Sequence, residues 1–155
     1  MKRIAATCLT ASVLAAPALA QDLSEEAAYA ADEFRQCATC HVIANEDETL
    51  YGRRARTGPN LYCVIGRQAG SVEDFRYSNS LEEAGEAGLV WDEEHMTSYL
   101  QDPRAFLRDY LDDSGARSKM TYKVRKDGDR SPEDVAAAFA TFLAEVCPEE
   151  ADADS

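Results

Sequence analysis

Residues 36 to 41 read QCATCH, and no other stretch narrows the choice of fold as far. Two thiols two residues apart can hold a metal, oxidise to each other, or bond to a carbon electrophile, and each use asks for different surroundings. A structural zinc site needs four ligands, usually as two knuckles. Beyond residue 20 the ligand inventory is short: Cys37, Cys40, Cys63 and Cys147, His41 and His95, Met96 and Met120. Cys63 and Cys147 stand alone, so a zinc site would have to recruit Cys63, Cys147 or His95 from separate segments.

A thioredoxin-like pair belongs at the end of a strand in a βαβ unit, whereas the pattern around residue 37 is helical. The residue after the second cysteine favours a third use. His41 gives the spacing of c-type haem attachment, in which thioether bonds from Cys37 and Cys40 fix the porphyrin edge and carry the adjacent imidazole to the iron.

The N-terminus indicates the compartment. MKRIAATCLTASVLAAPALA has Lys2 and Arg3, then an uncharged run, then Ala18-Leu19-Ala20 before Gln21, the layout of a secretory signal (residues 1–20) cleaved after Ala20. It falls short of the roughly 20 apolar residues of a membrane span and contains Pro17. Cys8 should leave with it. The mature chain, 21–155, is then expected to be one periplasmic domain with a core at about 28–147, a flexible acidic tail at 148–155, and no stable membrane insertion. A 155-residue chain with 45% hydrophobic and 29% charged residues suits one soluble core. Removing Lys2 and Arg3 takes the formal charge from −13 to −15, which disfavours nucleic acid and anionic membrane as partners.

Hydrophobic periodicity predicts helices and no strand alternation. The first covers about Ser24 to Cys37, capped by Ser24, with Ala27, Ala30, Ala31 and Phe34 on one face. The last starts at Ser131-Pro132-Glu133-Asp134, presents Val135, Ala138, Phe139, Phe142 and Val146, and ends at Pro148. These terminal helices are natural partners. Two shorter helices are expected at Asp92–Asp102 and about Pro103–Leu111. Between them and the first lies a long middle punctuated by Gly58-Pro59-Asn60, Gly66, Gly70, Asn79, Gly85 and Gly88, which a buried cofactor would organise.

From Ala28 to Val146 the chain resembles the class I c-type cytochromes. The resemblance rests on CATCH at 37–41, GPNL at 58–61, GR at 66–67, FRYS at 75–78, Trp91, YLQDP at 99–103, SKM at 118–120, and Phe142-Leu143. It implies an all-α fold whose N- and C-terminal helices pack together around one covalent haem c. It also implies a monomeric one-electron carrier rather than an enzyme.

The family pattern makes His41 and Met120 the axial ligands. The inventory agrees, because Met96 belongs to a helical stripe, His95 sits beside acids, and Lys119 would have to deprotonate. By resemblance, the Pro59 carbonyl accepts the His41 ring N–H. Arg67, Tyr77 and Trp91 attend a haem propionate, and Tyr99 and Ser118 lie beside the methionine. A soft thioether opposite histidine favours ferrous iron and raises the reduction potential. The expected partners are a quinol-oxidising complex on one side and a terminal oxidase, reductase or reaction centre on the other. A haem peroxidase, a ligand sensor with a labile methionine, and a donor subunit dedicated to one enzyme are the alternatives.

The chain also departs from the family. The segments 41–58 and 103–120 are longer than in the shortest members, and Gly115-Ala116-Arg117 replaces the usual Pro-Gly before the methionine stretch. With two thiols on haem in an oxidising compartment, Cys63 and Cys147 are expected to form a disulfide. Eight basic residues flank the ligand segments, Arg53, Arg54 and Arg56, then Arg117, Lys119, Lys123, Arg125 and Lys126. They suggest a basic docking rim on an acidic body.

Overall fold

A serine starts each terminal helix. The Ser24 hydroxyl accepts the Ala27 N–H at 3.2 Å and opens α1, Glu25–Glu33. Ser131 and Asp134 form a reciprocal capping box, at 3.1 and 2.9 Å, that opens α5, Pro132–Glu145. The computed structural model describes residues 23–53 and 57–147. Between the terminal helices lie a 3-10 turn (Phe34–Gln36), β1 (Val42–Ala44), β2 (Thr49–Gly52), α2 (Asn79–Glu86), α3 (Glu93–Gln101) and α4 (Pro103–Leu111). The signal segment, Arg54, Arg56, Pro148 and the acidic tail lie outside the described residues.

The expected pairing of the first and last helices is present: α5 packs against α1 on one side and α3 on the other. Ala27 and Ala30 of α1 are fully buried, as are Ala136, Ala140 and Phe142 of α5. Small residues let the helix axes approach closely while the large rings fill the layer between them. Phe34, Tyr51 and Phe142 meet edge to face, with centroids 4.9 to 6.1 Å apart, which joins the 3-10 turn, β2 and α5 into one cluster. The Phe34 carbonyl of that cluster accepts the Cys37 N–H.

Asp102 serves two helices. It ends α3, and its carboxylate then accepts the Arg104 and Ala105 N–H groups that α4 leaves unpaired, with Pro103 at the first helical position. The expected disulfide is also present. Cys63 and Cys147 are bonded, with Cα atoms 4.9 Å apart, and tie the loop after Asn60 to the end of α5.

Three expectations need correction. The first helix does not run unbroken to Cys37, because from Phe34 the backbone tightens to i→i+3 bonds, such as Cys37 N–H to the Phe34 carbonyl at 2.8 Å. The segment 41–58 holds a short antiparallel hairpin, with Val42 opposite Gly52 and Ile43 opposite Tyr51. Strands of three and four residues are too short to show alternation, and the Asn45 side chain makes the turn by accepting from Asp47 and Glu48. The third correction concerns α2, which occupies what reads as loop. Asn79 is its first residue, and Ser78 caps it through the Leu81 N–H.

Gly85 shows why α2 can lie where it does. A Cβ there would stand 2.0 Å from the Ala69 carbonyl oxygen, so the helix rests on the 67–70 turn only because glycine faces it. That turn is in turn stitched to 89–91 by Ala69 N–H to Leu89 carbonyl and Trp91 N–H to Arg67 carbonyl bonds, both 2.9 Å.

Candidate haem site

The QCATCH segment folds back on itself as successive backbone bonds. Ala38 donates to Phe34 at 2.9 Å, Cys40 and His41 both donate to Cys37 at 3.0 and 2.9 Å, and Gly58 donates to Cys40 at 2.8 Å. Cys37, Cys40 and His41 are thereby brought to one cavity of about 330 Å³, largely apolar, with Met120 in its lining as well. The apolar walls come from several elements, including Leu61 and Val64 of the loop, Leu81 of α2, Leu100 of α3 and Phe139 of α5.

His41 is fixed in orientation. Its Nδ1 lies 2.9 Å from the Pro59 carbonyl, which can only accept, so Nδ1 carries the proton and Nε2 keeps its lone pair. Burial pushes the imidazole pKa down against the opposing pull of that carbonyl, which keeps the ring neutral and able to bind a metal. Gly58 makes room for the ring: a Cβ there would stand 2.4 Å from Cε1 and 2.8 Å from Nε2.

The two thiols are the next test. Both are unbonded, while Cys63 and Cys147 are joined to each other. Burial, with the neighbouring Cys40 adding to it, pushes the Cys37 thiol up to about 12. A dithiol redox pair belongs at the end of a strand in a βαβ unit with a stabilised thiolate, whereas Cys37 follows the 3-10 turn that continues α1 and its thiol pKa is raised by burial, so its surroundings do not fit the thioredoxin-like reading. The zinc reading fails too. Among the described residues no three His, Cys, Asp or Glu side chains are grouped to hold a metal ion, and the disulfide consumes the other cysteines. A covalent haem fits the residues present: two free thiols, a neutral oriented imidazole beside a glycine, apolar walls and a thioether line one space.

Every residue expected at the site lines this cavity: Pro59, Arg67, Tyr77, Trp91, Tyr99 and Ser118 as well as the cysteines, His41 and Met120. Arg67 donates to the Asn60 and Tyr62 carbonyls at 2.9 and 3.2 Å, and burial presses its pKa downward. Trp91 packs on the Tyr99 ring at 4.9 Å and stacks on Phe106. The Tyr77 ring meets Phe75, and burial raises its hydroxyl pKa. Tyr99 and Ser118 are 3.0 Å apart, and the Ser118 hydroxyl also accepts the Met120 N–H at 3.0 Å, so the polar pair positions the methionine backbone. Met96 lines the cavity too, buried on α3, so lining alone does not separate the two methionines. His95 stays at the surface, bonded to Asp92 at 3.1 Å and near the Val90 carbonyl.

Sequence reading missed Asn60, Gln36 and Tyr122. The Asn60 side chain brackets Ala44, accepting its N–H and donating to its carbonyl at 3.1 and 2.7 Å, and so holds β1 against the Pro59 loop. Its place inside GPNL was the available signal. Gln36 and Tyr122 gave none, because their hydrogen bond spans 86 residues of sequence.

No family model matches the chain. Individual relatives do. Cytochrome c2 of Rhodovulum adriaticum is 52% identical over 126 residues, spanning 81% of this chain and 95% of the relative. Cytochrome c-550 of Paracoccus denitrificans is 39% identical over 143 residues, spanning 91% and 86% respectively. The crystal structure of cytochrome c2 from Rhodobacter sphaeroides superposes with a TM-score of 0.71 at 44% identity, covering 81% of this chain and 98% of that one.

Proposed function

The chain belongs to the class I c-type cytochromes, and from that premise we propose that Cys37 and Cys40 would hold the haem as thioethers while His41 and Met120 would bind its iron. The family carries one covalent haem c with iron, and its members are electron-transfer proteins, not enzymes. This protein carries single electrons between redox complexes. When bound, the haem supplies a one-electron ferric/ferrous couple.

The residues of the chain do the rest. Pro59 orients His41, Ser118 and Tyr99 position the Met120 backbone, and the apolar lining keeps water from the couple. Arg67, Tyr77 and Trp91 supply the polar and aromatic surroundings of a propionate. The observation that carries this reading is the His41 Nδ1 to Pro59 bond, since it leaves Nε2 as the free donor in a cavity that also contains a thioether. With His41 and Met120 both committed to the iron, the closed site would leave no position for peroxide or a sensed gas.

Residues 1–20 act as the export signal, and 21–155 form the mature domain with an acidic tail at 148–155. The cytochrome c2 relatives are periplasmic, and among the described residues no helix is long and apolar enough to cross a membrane. The protein acts as a monomer, accepting electrons from a quinol-oxidising complex and passing them to an oxidase, reductase or reaction centre. Arg53, Arg117, Lys119, Lys123, Arg125 and Lys126 are exposed and form the basic side of the encounter. Potentiometric titration of the purified holoprotein tests the core of this reading. It should follow a single one-electron step at a positive potential, with no turnover of peroxide. A low potential, or peroxide consumption by the resting protein, would contradict it.

A further inference from the structure

The Met120 segment, residues 117–124, has no helix or strand. Its hold on the fold is therefore a set of individual bonds. On the N-terminal side of Met120 these run to α2, α3 and the 76–78 stretch: Arg117 N–H to Ser80 at 3.0 Å, Ser118 to Tyr99 at 3.0 Å, and Lys119 Nζ to the Arg76 carbonyl at 2.8 Å. On the C-terminal side, Val124 N–H donates to Leu100 at 3.0 Å and Lys123 pairs with Asp102. All of these partners belong to residues 76–102. One bond differs. The Tyr122 hydroxyl donates to Gln36 Oε1 at 2.7 Å and so reaches the segment that carries Cys37, Cys40 and His41.

Among the described residues it is the hydrogen bond that joins the two ligand-bearing segments directly, and both side chains line the cavity. The acceptor is itself aimed. Gln36 Nε2 donates to the Glu33 carboxylate at 2.5 Å, which turns Oε1 toward Tyr122. Glu33 ends α1, so the chain Glu33, Gln36, Tyr122 anchors the residue two past Met120 to the first helix.

We propose that Tyr122 and Gln36 form a latch that sets how often the Met120 segment swings away from the iron. Tyr122 is thus a positioning residue, acting through the segment it closes. The proposal rests on the reading of Met120 as a ligand and says what keeps it in place. An external ligand such as imidazole binds ferric iron only when the segment is open, so its apparent affinity scales with the open fraction. Whatever the latch contributes to closure therefore appears directly in the imidazole dissociation constant.

The test is a double-mutant cycle on the ferric holoprotein with Tyr122→Phe, Gln36→Leu and both together. Each keeps the bulk of the side chain and removes one end of the bond. Imidazole titrations are read at the absorbance band of iron–thioether ligation, and amide hydrogen exchange is followed at Thr121 to Val124. A partly exposed hydrogen bond predicts roughly three- to tenfold tighter imidazole binding and a matching rise in exchange for either single variant. The double variant should add nothing to the singles. Unchanged affinity and exchange in Tyr122→Phe would overturn the latch, and so would independent, multiplying effects of the two changes. If the unmutated protein lacks the thioether band, the reading of Met120 fails by itself, and the exchange rates alone then decide on the latch.

Discussion

On the His41 side of the cavity the backbone does the holding, and on the Met120 side the side chains do. The cysteines and His41 sit in a turn of consecutive main-chain bonds, backed by Phe34, Tyr51 and Phe142 and adjoined by the Cys63 to Cys147 loop. Met120 sits in an irregular segment held mainly by side-chain contacts, Arg117 to Ser80, Ser118 to Tyr99, Lys119 to Arg76, Tyr122 to Gln36 and Lys123 to Asp102, with a single backbone bond from Val124 to Leu100. Backbone bonds in a continuous turn form and break together, whereas single side-chain tethers give way one at a time. The difference predicts a site with a fixed face and a face that opens. Such an arrangement allows one ligand to be kept permanently while the other answers to conditions.

The largest effect should be on the fixed face. Replacing Cys63 and Cys147 by alanine removes a cross-link closing 84 residues, which should lower unfolding stability by about 4.5 kcal/mol. Chemical denaturation gives the value, and the thioether band should survive in the folded variant, because the bond ties the loop beside His41 rather than the Met120 segment. Loss of methionine ligation in that variant would mean the two faces are not independent.

Gly58→Ala comes next. The new methyl would stand 2.4 Å from an imidazole that Pro59 prevents from turning away, so a cost of about 3 kcal/mol is expected, with a lower yield of holoprotein. Haem content per folded chain is the measurement.

These two positions also show what the sequence could and could not convey. The QCATCH spacing, the GPNL loop and the Ser131 cap are local, and local chemistry can be read from consecutive residues. The pairing of Cys63 with Cys147 was reachable because, beyond residue 20, only two thiols remained after the motif took its share. The hairpin at 42–52 was hidden by its short strands. Helix α2 was hidden by Asn79 and Gly85, residues that punctuate loops elsewhere but here begin a helix and allow close approach to Ala69. Tyr122 and Gln36 were hidden by distance along the chain, as tertiary hydrogen bonds are.

On the opening face the effects should be smaller in stability and larger in ligand exchange. Ser118→Ala strands the buried Tyr99 hydroxyl and frees the Met120 N–H, a loss of about 1 to 2 kcal/mol. Most of it should appear as tighter imidazole binding rather than as a lower denaturation midpoint.

The smallest effect is the most specific. The hydrogen bond from Lys123, with the Ala105 and Arg104 N–H groups, holds the Asp102 carboxyl below its usual value of 3.8. A depressed carboxylate stabilises the folded state fully above its unfolded pKa and loses that contribution as pH falls through the folded one. The Met120 segment should therefore loosen only below about pH 4, and Asp102→Asn should flatten that acid limb in imidazole titrations run against pH.

The central claim is that Met120, and not the other cavity methionine, closes the iron. The ferric absorption spectrum of Met120→Ala, compared with that of Met96→Leu and the unmutated protein, tests it most directly. The iron–thioether band should be present in the unmutated protein and in Met96→Leu, and absent in Met120→Ala. A band that persists without Met120, or that disappears with Met96 alone, would contradict it.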